Sequence, residues 1–171
     1  MCRFASFKHN PSTGEIRVAD LNSHGETEKK LNLDPKIWQD GHYLPTGEIE
    51  LRLIEDDRVD PVEYKTAFLN RFPTFIVFLN WALIKISIDG KYSGYLDLSG
   101  LTSAKDLVLP KSVGGYLDLR GLTSAKDLVL PKSVGGSLYL SGLTSAKDLV
   151  LPKSVGGYLD LSDNVRKELN K

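Results

Sequence analysis

The phrase GLTSAKDLVLPKSVGG occurs three times, beginning at Gly100, Gly121 and Gly142. The period is 21 residues, and nothing else in the chain limits its fold so strongly. A chain that repeats itself at such a period must pack each unit on the next in the same way, which is the rule of a solenoid. Each unit carries two alternating stretches. One holds Leu96 and Leu98, recurring as Leu117/Leu119, Leu138/Leu140 and Leu159/Leu161; the other holds Leu107 and Leu109, recurring as Leu128/Leu130 and Leu149/Leu151. Leucines two apart share one side of a strand. Two short strands per coil, with Gly-Gly and Pro-Lys-Ser at the corners, predict a parallel β-solenoid whose coils stack about 4.8 Å apart. Val113, Val134 and Val155, with Leu101, Leu122 and Leu143, complete the expected core.

Stepping the register back by 21 places Ile86 and Ile88 over Leu107 and Leu109, Tyr92 over Val113 and Gly94 over Gly115. IKISIDGKYSG is therefore read as a diverged first coil, which makes about four coils in all. At the other end, LSDNVRKELNK turns polar, and Ser162 or Asp163 caps a short helix that shields the last coil.

The repeat unit L-x-L-x-G-L-T-S-A-x-x-L-x-L-P-x-S-V-G-G resembles a leucine-rich-repeat-like unit of uncharacterised bacterial and phage or prophage proteins. It departs from standard leucine-rich repeats in placing Gly where those carry Asn after the strand. The resemblance covers about residues 86–162. It implies an interaction scaffold of mobile-element origin, and with it inhibition of a host protein such as a CRISPR effector or another nuclease complex.

The coils differ from one another beside the leucines. The aligned strands read YLDLS, YLDLR, SLYLS and YLDLS. Tyr95, Tyr116 and Tyr158, Asp97, Asp118 and Asp160, with Tyr139 and Arg120, alternate with the inward leucines and so face outward. Tyr and Arg bury area at little entropic cost, so this face is the expected docking surface for another protein. A tolerant solvent face made of good strand formers gives the same pattern. The Lys105/Lys126/Lys147 and Asp106/Asp127/Asp148 ladders read as solvated corners.

Residues 1–83 have no repeat. RFASFK, Glu15–Val18 and EIELRL alternate and predict three strands. Ser23-x-x-Glu26 is a capping box opening a helix to Leu31. Asp34-Pro35 predicts a short helical turn holding Trp38 and ending near Gly41. Asp60-Pro61-x-Glu63 opens a helix to about Phe72, and Thr74 opens another over Phe75–Leu83, apolar nearly all round and so expected to be buried. The predicted architecture is an α+β domain over 1–83, a β-solenoid over 84–162 and a polar cap over 163–171.

Function classes narrow further. Lys+Arg 22 balances Asp+Glu 22, so no global field favours nucleic acid or an anionic membrane. The single cysteine, Cys2, allows no internal disulfide and no Cys-based zinc site, and with no signal-like segment it fits a cytoplasmic protein. Cys2 is the residue on which an alternative rests, a small hydrolase or transferase using a freed N-terminal cysteine. Met-Cys superficially resembles the start of N-terminal-nucleophile amidotransferases and of the DNA abasic-site crosslinking family, but the glycine and the further motifs of those families are missing. His24 and Glu26 are the accompanying acid–base candidates, and the capping box accounts for them. No histidine pair has metal-ligand spacing, and no phosphate loop occurs, so neither metal nor cofactor is expected.

Overall fold

The computed structural model describes residues 5–21, 23–51 and 60–170. Cys2 and the distal end of EIELRL lie outside these. The chain divides into two compact units, Met1–Ile86 and Ser87–Lys171.

The first unit is an antiparallel sheet with helices. Its strands are β1 (Ala5–Asn10), β2 (Glu15–Arg17), β3 (Gln39–Tyr43) and β4 (Ile49–Leu51), in the order β2-β1-β3-β4. The helices are α1 (His24–Leu31), α2 (Pro61–Arg71) and α3 (Phe75–Ile86). The capping signals act as their chemistry requires. Ser23 Oγ accepts from the Glu26 N–H at 3.2 Å, and the Asp60 carboxylate accepts from Val62 and Glu63 at 2.7 and 3.0 Å. Strand alternation then sorts the side chains. Phe7 and His9 face one side of β1, where Phe7 stacks on Phe68 at 5.2 Å between ring centres and contacts Phe78 at 5.0 Å. Lys8 faces the other side and meets Glu28 of α1. Tyr43, Phe72 and Phe75 complete the aromatic core, with the Tyr43 hydroxyl donating to the Phe72 carbonyl at 2.9 Å.

Two expectations for this unit need correction. The turn opened by Asp34 holds Trp38, whose N–H donates to the Asp34 carbonyl at 2.9 Å, but it ends there and not near Gly41. Pro35–Ile37 form only a turn, and the chain continues as β3 straight through Gly41, which pairs with Phe7 and Leu51. Glycine in a strand reads locally as a breaker, but here the Phe7 ring lies where a Cβ would be, 2.3 Å from it, so the core requires the missing side chain. Second, α3 is not buried all round. Phe75, Phe78, Leu79, Ala82 and Leu83 are buried, whereas Val77 and Ile84, seven apart and so on one face, are exposed.

The second unit is the parallel solenoid. One sheet, in order β12-β10-β8-β6, is built from β6 (Leu96–Asp97), β8 (Leu117–Asp118), β10 (Leu138–Leu140) and β12 (Leu159–Leu161). The other, β11-β9-β7-β5, is built from β5 (Lys91–Tyr92), β7 (Ser112–Val113), β9 (Ser133–Val134) and β11 (Ser154–Val155). Partners are 21 residues apart throughout, as in Leu96↔Leu117 and Leu117↔Leu138. Leu117, Leu119, Leu122, Leu138 and Leu140 are wholly buried.

The second strand of each coil is Ser-Val, not the Leu107-x-Leu109 stretch expected. Leu107 is buried and Leu109 half-buried, so the inward direction holds, but no ladder forms there. Pro110, Pro131 and Pro152 close each such stretch, and proline has no N–H to give a ladder. Hydrogen bonding resumes just past it, with Lys132 N–H donating to the Lys111 carbonyl at 2.8 Å and Gly135 N–H to the Val113 carbonyl at 2.8 Å.

The first coil also begins later than the register implies. Ile86 ends α3, and Ile88 pairs with Lys91 across Asp89-Gly90 through backbone bonds of 2.9 and 2.8 Å. Asp89 and Gly90 have φ of 52° and 75°, the left-handed pair that a tight hairpin turn demands. Local turn chemistry overrides the 21-residue register at this point and leaves Ile88 78% exposed. From Tyr92↔Val113 onward the register is the expected one. Each ladder has four strands, but the chain makes about three full coils rather than four. The last is left through Ser162, which caps α4 (Asp163–Leu169). Val165 of α4 is fully buried, and the Glu168 carboxylate accepts from Ser145 Oγ at 2.9 Å and Ala146 N–H at 2.7 Å.

Coil-on-coil spacing depends on the glycine corners. A Cβ on Gly135 would lie 2.3 Å from the Gly114 carbonyl oxygen, and one on Gly156 would lie 2.2 Å from that of Gly135. Gly135→Ala should therefore push two coils apart and lower the urea midpoint of the solenoid by the equivalent of about 1–3 kcal/mol, the usual cost of overpacking. Gly25→Ala in α1, with nothing nearer than 3.8 Å, should not lower it. Urea unfolding of the two variants followed by far-UV circular dichroism checks the contrast.

Candidate functional site

The β6-β8-β10-β12 sheet presents its outer side as three rows. Tyr95, Tyr116, Ser137 and Tyr158 form the first. Asp97, Asp118, Tyr139 and Asp160 form the second, in register through Asp97↔Asp118, Tyr139↔Asp118 and Tyr139↔Asp160. Ser99, Arg120, Ser141 and Ser162 form the third. The structure thus brings all eight sequence-proposed docking residues onto one face.

The rows are not equally open. Tyr158 is 61% exposed and Tyr95 40%, while Tyr116, Tyr139, Asp97 and Asp160 are half-buried by their neighbours. Tyr95 stacks on Tyr116 with ring centres 4.8 Å apart, and Tyr116 meets Tyr139 edge-on at 6.2 Å. Desolvation within this stack, with the charge of Asp97 next, raises the Tyr116 pKa above its ordinary value. Asp118 is buried, covered by Arg120, whose Nε and Nη2 reach its carboxylate at 3.0 and 2.6 Å. That hydrogen bonding, with the charge of Asp118, raises the Arg120 pKa further. The Arg120 guanidinium also lies 5.4 Å from the centre of the Tyr139 ring.

Electrostatics explains two of the substitutions between coils. Carboxylates one rung apart repel by about 1 kcal/mol in water and by more where partly buried. Asp97 stacks directly on Asp118, and Arg120 supplies the compensating charge where the other coils carry Ser. In coil three, Tyr139 stands where Asp would stack on both Asp118 and Asp160. Asp97 is satisfied locally by Ser99, whose Oγ donates to it at 2.6 Å.

The first unit holds a second cluster. Lys8 is buried, with its Nζ 2.6 Å from Glu28 and 2.8 Å from Asp40. Burial pulls its pKa down, and the hydrogen bonds and charges of Asp40 and Glu28 outweigh that, so the net shift is upward. His9, fully buried, lies 3.2 Å by Nε2 from the Asp40 carbonyl and 3.0 Å by Nδ1 from the Tyr64 hydroxyl. The carbonyl can only accept, so Nε2 donates to it, and Nδ1 shares a hydrogen bond with the Tyr64 hydroxyl. Burial pushes the Tyr64 hydroxyl up to about 12. These groups hold the sheet to α1 and α2.

His9 and His42 do not converge. His9 faces α2, and His42 lies on the opposite side of the sheet, 3.6 Å from Glu50. The His24 side chain is outside the description. The Glu26 N–H donates to the Ser23 cap, and its carboxylate forms a surface pair with Lys29 at 3.6 Å. Among the described residues no group of three or more His, Cys, Asp or Glu is placed to hold a metal ion, and no single helix is long and apolar enough to cross a membrane.

One row escaped the sequence reading. Val108, Val129 and Val150 are 59%, 75% and 76% exposed, forming an apolar ladder along the corner segment. The L-V-L alternation held the signal, since a residue between two inward leucines points out. Comparisons with protein-family models, curated proteins and solved structures give no match.

Two outcomes follow. Arg120→Ala should lower the solenoid's Tm by a few degrees, because Asp118 then stacks on Asp97 with no counter-charge, and Asp118→Asn in the same chain should restore much of the loss; thermal melts of the wild type and the two variants test this. In the first unit, the folded-state pKa values of Lys8 and Tyr64 both lie above their unfolded values. The stability they contribute is complete below pH 10 and declines as pH rises beyond it, because the unfolded chain releases these protons first. A tyrosine absorbance titration should find one hydroxyl that stays protonated to about pH 12 in the wild type but not in Tyr64→Phe.

Proposed function

We propose that this chain is a non-enzymatic protein-binding module whose docking surface is the outer face of the β6-β8-β10-β12 sheet. The observation that carries the proposal is the aromatic row. Tyr95 and Tyr158 stand open to solvent, and Tyr95, Tyr116 and Tyr139 form one contiguous stack, on strands held in strict register. The solenoid core does not require them, because the leucines fill it and Ser137 occupies the same row without a ring. Tyr and Arg on a pre-organised sheet form contacts with little further loss of entropy. Relief of repulsion accounts for Arg120 and Tyr139, but it does not account for Tyr95, Tyr116 and Tyr158.

The partner is another protein. Inhibition of a host defence protein is the role that the repeat's resemblance to phage and prophage proteins implies.

A photo-crosslinking residue placed at Tyr158 or Tyr95 should capture one protein partner in stoichiometric amount from a bacterial lysate, and the same residue at Val129 should not. The triple variant Tyr116→Ser, Arg120→Ser, Tyr139→Ser should weaken capture at least tenfold while the coil spectrum is retained. Equal capture from Val129, or capture unaffected by the triple variant, would overturn the assignment of this face.

A further inference from the structure

The first unit contains an open cleft of about 450 Å³, lined by Ile16, Arg17, Val18, Leu31, Arg71, Trp81 and Lys85. Its size falls within the range of ligand-binding clefts. Ile16 and Arg17 are consecutive residues of β2, and consecutive side chains of a strand point to opposite faces. A cleft that touches both lies against the strand's edge rather than over one face. β2 is the outermost strand of the order β2-β1-β3-β4, so among the described residues no strand pairs with its edge away from β1.

Three cations surround this edge, and no carboxylate lines the cleft. Arg17 is paired with Glu15 at 2.8 Å. Arg71 and Lys85 form no ion pair among the described residues. The Arg71 guanidinium instead lies 5.4 Å from the centre of the Trp81 ring. Cations at the last turns of α2 and α3 suit the helix dipoles. That accounts for their presence, but not for two helix ends bringing both of these charges to one strand edge. The local charge also opposes its surroundings, because residues 1–83 carry 10 basic and 13 acidic side chains.

We propose that this cleft binds an acidic, extended peptide segment by strand addition to β2. The segment's backbone pairs with the free edge of β2, over the roughly 10 Å that three residues span. Its carboxylates meet Arg71 and Lys85, and an apolar side chain rests against Trp81 and the half-exposed Leu31. A free edge calls for a peptide backbone, which separates this occupant from a small anion. Charge complementarity selects the acidic sequence. The site is separate from the solenoid face, so either assignment can fail without the other.

The test uses the full chain and a fluorescein-labelled peptide of four Glu-Val repeats, followed by fluorescence polarisation. Binding should be saturable, weaken steeply with salt, and fall tenfold or more in Arg71→Ser/Lys85→Ser. Lys85→Arg should retain it, and the outer-face triple variant should leave it unchanged. A Glu-Pro peptide of equal charge, which lacks the N–H groups at alternate positions, should bind at least tenfold more weakly. The proposal is overturned by absence of saturable binding, by equal binding of the Glu-Pro peptide, or by full displacement with inorganic tripolyphosphate at the peptide's own concentration. Equal binding by the double serine variant, with its circular dichroism unchanged, would also overturn it.

Discussion

Backbone contact between successive coils is the constraint on which the solenoid depends. At Gly114, Gly135 and Gly156 the main chain of one coil passes so close to the next that no side chain fits between. That contact lets the Ser-Val ladder and the Leu-x-Leu ladder keep one register through every turn. Once the register is fixed, leucines fall on leucines, and the alternate residues have nowhere to go but outward. The outer face is therefore a by-product of the core's regularity, and its chemistry is free to vary only where the core does not see it.

That freedom is limited by charge. Register places like on like, so an acidic row accumulates repulsion with each coil. The chain relieves it by three means on neighbouring rungs: Ser99 donates to Asp97, Arg120 clasps Asp118, and Tyr139 replaces the carboxylate between Asp118 and Asp160. Stability and the proposed recognition thus share the same few positions. Arg120 illustrates the overlap, since it compensates Asp118 and also lies over the Tyr139 ring.

Much of this was readable from the residues, because periodicity and capping are local signals with few alternatives. The 21-residue spacing of leucines gave the solenoid, its inward side and its outward rows. Ser23-x-x-Glu26 and Asp60-Pro61 gave the two helix starts. The misses each have a physical cause. At Asp89-Gly90 a two-residue turn outweighed a weak register match. At Pro110 the absent N–H moved the ladder past the leucines to Ser112-Val113. At Gly41 the reason for the glycine is a ring 34 residues earlier, Phe7, and no local pattern discloses it. The cationic cleft was invisible for the same reason, since β2 and the far ends of α2 and α3 meet only in space.

The surface an inner coil presents to the coil above is the surface it meets from the coil below. Loss or duplication of one unit therefore leaves the leucine, valine and glycine contacts of the core as they were. For the core each such event alters only reach, by about 4.8 Å. The outer face becomes a ruler whose length changes in whole units, while the first unit and its cationic cleft stay unaltered.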